Sequence, residues 1–197
     1  MEIIKNSNEF NSIKSFIPLV INSELELPDQ IFAKAKYFLF VEFLDVSTKG
    51  FYNSIVELKQ TDYFFYSIVP DPEEYYFRYF SKYSVFKFNV RNSSKDYLRL
   101  LHEKPKENSA DAIMDVLEKF VVFSIDLDVV IYGDRDFDLM ILGFEELCKK
   151  VEFVSKFGEN RIFSFNDIQD LFLSKYPGQL DLIEKIRLNY FDTDNSS

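Results

Sequence analysis

Cysteine is nearly missing from this chain: Cys148 stands alone among 197 residues, so no internal disulfide can form, and such usage suits a reducing compartment. Histidine is equally scarce. With His102 as the sole imidazole and no second thiol, the usual zinc sets cannot be assembled. Tryptophan is absent and glycine numbers five. No phosphate loop, dinucleotide fingerprint, Gly-x-Ser-x-Gly elbow or His-Glu-x-x-His occurs, so hydrolase, kinase and dehydrogenase readings have no foothold. No catalytic residue, metal ligand or cofactor is assigned. The start, Met1 to Asn6, lacks the basic and apolar regions of a secretory signal. The most apolar stretches, Tyr37 to Leu44 and Phe120 to Tyr132, are shorter than the roughly 20 residues that cross a bilayer. A cytoplasmic protein without a membrane span is expected.

What the chain has in excess is acid and aromatic rings. Thirty-three acidic against 23 basic side chains leave a net charge of −10, which repels nucleic acid and attracts a basic protein. The 23 Phe and 12 Tyr require a core of bulky rings. A chain of this length buries roughly 70% of its unfolded surface and needs no staple. Without repeats or linker composition, residues 1–191 are expected to form one domain, with 192–197 as a disordered tail.

Periodicity predicts the elements in turn. Asn8 caps a first helix carrying Phe10, Ile13, Ile17 and Val20, kinked by Pro18. Pro28 and Asp29 open a second with Phe32, Ala35, Leu39 and Phe43 at helical spacing. Tyr52 to Leu58 and Tyr63 to Val69 read as strands, and Pro70 to Glu74 as a turn into a helix holding Tyr75 to Phe80. Ser84 to Val90 alternates as a half-buried strand; Ser94 caps a helix through His102, stopped by Pro105. Ser109 caps a helix with Ile113, Leu117, Phe120 and Val121. Leu127 to Tyr132 and Phe137 to Leu142 form a hairpin around Gly133 to Asp136. Arg161 to Ser164 adds a strand, Asn166 with Gln169 boxes a helix ended by Pro177-Gly178, and Leu182 to Tyr190 make the last helix. Helices and hairpins without a βαβ rhythm give the α+β class: a mixed, mostly antiparallel sheet with helices packed on it.

Five aspartates crowd into residues 126–138. At strand spacing Asp126 pairs with Asp128 and Asp136 with Asp138, with Asp134 and Arg135 at the turn, and paired carboxylates hold hard cations. Asp136-Phe137-Asp138-Leu139 is similar to the magnesium-holding element of nucleotidyltransferases, but the Gly-Ser pair that family needs upstream is missing, since Asp134 follows Gly133. Tight hairpin turns use the same residues for backbone bonding. The run Tyr75 to Tyr83 carries more rings than one helix face buries, which leaves tyrosines for a partner.

Val69-Pro70-Asp71-Pro72-Glu73-Glu74-Tyr75-Tyr76 together with Asp128 to Phe137 resembles small cytoplasmic immunity proteins encoded beside polymorphic or contact-dependent bacterial toxins. The resemblance implies a non-enzymatic inhibitor of one cognate, basic toxin domain. On charge and expected exposure, Tyr132, Asp134, Arg135 and Asp136 at the hairpin tip form the candidate contact patch, with Glu73, Glu74 and Tyr75 as a second. An interaction domain with another protein partner is the alternative; a metal-dependent nucleotidyltransferase-like enzyme is the third reading.

Overall fold

In the computed structural model, which describes residues 1–69, 76–104 and 112–191, the aromatic and β-branched runs line up as one antiparallel sheet. Its strands are β1 Glu2–Ile3, β2 Tyr37–Glu42, β3 Tyr63–Val69, β4 Val85–Phe88, β5 Lys119–Ser124, β6 Val129–Asp134 and β7 Leu139–Phe144. Their order is β1-β4-β3-β5-β6-β7-β2, so the α+β class holds, with every strand pairing antiparallel.

Helices cover both faces, and side-chain alternation along each strand divides the core between them. One face carries Phe65, Phe86, Phe120, Ile131 and Leu142 under α3 (Lys49–Leu58), α5 (Ser94–His102), α6 (Ile113–Val116) and α7 (Leu147–Phe157). The other carries Phe64, Tyr66, Phe123, Val130 and Ile141 under α1 (Ser7–Lys14), α2 (Ile17–Val20), α8 (Phe165–Lys175) and α9 (Leu180–Ile186). A four-residue helix, α4 (Phe77–Phe80), lies between β3 and β4 in the chain. Rings stack along the sheet, Phe65 lying 4.8 Å from Phe86 and 5.2 Å from Phe120 between centroids. Because the strands are buried on both sides, they read as continuous apolar runs.

Three expectations fail for that reason or its converse. The helix expected from Pro28 through Phe43 does not form: residues 28–36 are turns and bends with one bridge, Phe32 to Ile21, and Tyr37 to Glu42 is strand β2 followed by a 3-10 turn from Phe43, since six consecutive residues register against β7. Tyr52 to Leu58, placed in a strand by its β-branched and aromatic content, is helix α3: the Thr48 hydroxyl accepts from the Phe51 N–H, and Phe51, Tyr52, Ile55 and Val56 are buried. The helix expected from Ser109 through Val121 stops at Val116, and Lys119 onward becomes β5, the middle strand of the sheet.

Smaller corrections concern ends. Asn6, not Asn8, caps α1, and Pro18 divides the first helix in two; Ser93, not Ser94, caps α5, its hydroxyl accepting from the Asp96 N–H. Ser164 and Asp167, not Asn166 and Gln169, form the capping box of α8. Arg161 to Ser164 contributes one bridge, Phe163 to Phe40, not a strand. The expected turn at Pro70 to Glu74, the Ser109 cap, the Pro105 stop and the 192–197 tail lie outside the described residues, as do Glu73, Glu74 and Tyr75. Among the described residues no helix is long and apolar enough to cross a membrane.

Candidate functional site

The hairpin expected around the aspartates is present, but its turn starts later than its glycine implied. Gly133 and Asp134 are the last residues of β6, paired with Met140 and Leu139, and the turn spans 135–138 with Asp138 at φ 55. Gly133 is required by packing: a Cβ there would sit 2.0 Å from the Phe120 ring across the sheet. Strand geometry therefore turns Tyr132 and Asp134 inward.

This overturns the exposure on which the patch was chosen. Asp134 is 1% exposed and Tyr132 is 4% exposed. The Asp134 carboxylate accepts from the Asp136 N–H at 3.0 Å and the Tyr132 hydroxyl at 3.3 Å, with the Lys119 ammonium 3.8 Å away. Burial raises its pKa, and Asp136 adds to the rise against the opposing Lys119 charge. Burial, then Asp134, likewise drives the Tyr132 hydroxyl above its ordinary range. Arg135 is half-buried: it donates to the Met114 carbonyl, and its guanidinium lies 5.3 Å over the Phe43 ring. Of the four tip residues only Asp136 faces solvent. Its own carbonyl accepts from Lys175 and Tyr176 of α8 and its flank, while Lys175 also pairs with Asp138. The tyrosine surplus also turns inward in part, since Tyr76 and Tyr83 are buried.

Two exposed carboxylates join Asp136 at this end of the sheet, and local sequence pattern could not reveal them. Phe43 N–H bonds the Asp138 carbonyl, which places Glu42 beside the turn; Arg135 N–H bonds the Glu118 carbonyl, which places Glu118 on its other side. Neither Glu42, Glu118 nor Asp136 has a cationic partner among the described residues. The cations nearby point inward or are engaged, namely Lys119, Arg135 and Lys175.

Asp126 and Asp128 belong to the opposite end. They lie on the β5–β6 turn, not on a strand, and both pair with Lys59; the Ser124 hydroxyl donates to Asp128 at 3.1 Å. Burial alone would raise the Asp126 pKa; the Lys59 ammonium and the Ser124 hydroxyl beside it outweigh that and hold the carboxyl far below its usual range. The six residues of β6 separate the two turns by roughly 20 Å at about 3.3 Å per residue, so the five aspartates are not one constellation. Among the described residues no group of three His, Cys, Asp or Glu side chains is arranged to hold a metal. The nucleotidyltransferase likeness also loses its geometry, because Asp136 and Asp138 sit on a turn instead of adjacent same-face strand positions.

Comparison with protein-family models, with curated proteins and with solved structures finds no match.

Proposed function

We propose that this chain is an immunity protein, a non-catalytic cytoplasmic module that binds and neutralises a cognate, basic toxin domain by protein–protein contact. The observation that carries the reading is the unbalanced charge at the β6–β7 end of the sheet. There Glu42, Glu118 and Asp136 face solvent while the local cations are engaged with Glu26, with the Met114 carbonyl and with Asp138. A surface of one sign on a chain of net charge −10 steers a basic partner at long range and speeds association at low salt.

The test is protection. Cells expressing the C-terminal domain of a secreted toxin encoded beside this gene die alone and survive when this chain is co-expressed. Death in both cases, with no association of the purified proteins at low salt, overturns the proposal.

A further inference from the structure

A cleft of about 110 Å³ opens beside the acidic end, between the loop that follows Ile21 and the end of β3. Five of its ten described lining residues are aliphatic, with Ile21 and Ile31 buried, Ile68 and Val69 half-buried and Leu25 37% exposed, and the others, Glu26 and Lys119 among them, are polar. A single water needs roughly 10–15 Å³ of such space, so the cleft admits a chain of about seven atoms. The loop is held without help from an occupant: Asn22 N–H bonds the Ile31 carbonyl at 2.7 Å, and the Asn22 side chain accepts from the Glu24 N–H. The mouth is therefore preformed.

Its rim decides what enters. Lys119 donates to Glu26 Oε1 at 2.7 Å, whereas Glu26 Oε2 has no partner among the described residues and the Glu26 side chain is 74% exposed. The same ammonium faces Asp134 at 3.8 Å, and the Asp136 charge also acts on it. Lys119 thus has the Glu26 and Asp134 carboxylates within 4 Å and the Asp136 charge acting on it from farther off, so negative charge outnumbers positive and an anionic guest would meet repulsion. A cation with an apolar stem meets Glu26 at its head and aliphatic walls along its length.

We infer that this cleft receives an arginine side chain from the protein partner, its guanidinium on Glu26 and its methylenes against Ile21, Leu25 and Ile68. The inference rests on the immunity reading for the identity of that partner. Arginine fits better than lysine because its planar fork pairs with a carboxylate edge-on and sheds water more easily.

The probe is Nα-acetyl-L-arginine amide, titrated into the whole chain while the methyl resonances of Ile21, Leu25, Ile31 and Ile68 are followed by NMR. Those resonances shift and saturate in the millimolar range. The citrulline amide, of equal shape and no charge, binds about tenfold more weakly, as does the arginine amide to Glu26→Gln. Glu42→Gln, three strands across the sheet from Lys119 and not a lining residue, leaves the titration unchanged. No shift with the arginine amide, or equal shifts with both amides, overturns the inference. Unaltered toxin-domain affinity in Glu26→Gln overturns it too, while leaving the immunity reading in place. Arginine binding without any protection from the toxin sinks the immunity reading instead.

Discussion

The two ends of strand β6 carry similar residues and do opposite things with them. At the β5–β6 turn, Lys59 arrives from the end of α3 and neutralises Asp126 and Asp128 together. At the β6–β7 turn, Asp134 is swallowed by the core, its cation Lys119 is shared with Glu26, and Asp136 is left outside with Glu42 and Glu118. At the first end both turn aspartates are neutralised and Glu145 stands exposed beside them; the second end presents three unmatched carboxylates. Aspartate count does not distinguish them; what does is that Lys59 takes both aspartates of its turn, whereas Lys175 takes Asp138 and leaves the Asp136 side chain unpaired.

The comparison can be broken most forcefully by disturbing the strand that joins the two ends. Gly133→Ala places a methyl against the Phe120 ring in the middle of the sheet and is expected to cost about 3 kcal/mol, read as a fall in the urea midpoint at constant slope. A smaller effect follows from removing the cation of the β5–β6 turn. Lys59→Met leaves Asp126 and Asp128 unpaired, but each of these side chains is about a quarter to a third exposed, so the loss is about 1 kcal/mol at neutral pH. Because the Asp126 pKa is depressed in the folded state, its contribution is complete above the unfolded carboxylate value and disappears as pH falls through the folded one. The variant therefore loses part of the wild-type acid sensitivity below about pH 4.

Asp134 predicts the reverse sign. Its pKa is raised by burial, so the folded state binds its proton more tightly, and the charge opposes folding above that raised value. Asp134→Asn is expected to gain up to about 1 kcal/mol at pH 8, with the gain shrinking as pH falls toward the unfolded value near 4. Thermal melts at the two pH values check it; an equal shift at both would show that packing, not charge, is responsible. The smallest folding effect belongs to the exposed trio. Glu42→Gln, Glu118→Gln and Asp136→Asn combined change stability by no more than about 0.5 kcal/mol, yet slow association with the toxin domain at low salt and flatten its salt dependence.

Parts of this were legible in the residues. Strand β3, strand β4 and helix α5 lie where alternation and helical spacing place them, while the β6–β7 hairpin is present but sits two residues later than its turn residues implied. Tyr52 to Leu58 misled because β-branched and aromatic content is a packing preference, and this helix buries those same side chains against α5 and α7. Tyr37 to Glu42 misled because a strand buried on both faces loses its alternation and leaves only accidental helical spacing. Tyr132 and Asp134 were placed at a tip that begins only after them, at Arg135, and were assigned the wrong exposure: they share a face of β6, and that face is turned to the core by the register with β5 and β7.

The amino-acid order by itself determined the acidic surplus, the ring-filled interior, the absence of disulfides and the α+β class, because these follow from composition and local period. Which carboxylates are neutralised, which are buried and which stand free was decided only by tertiary structure. Pairing between Lys59 and Asp126, or the approach of Glu42 to Asp138, joins positions tens of residues apart, and the energy of such contacts depends on distance and burial that no local pattern encodes.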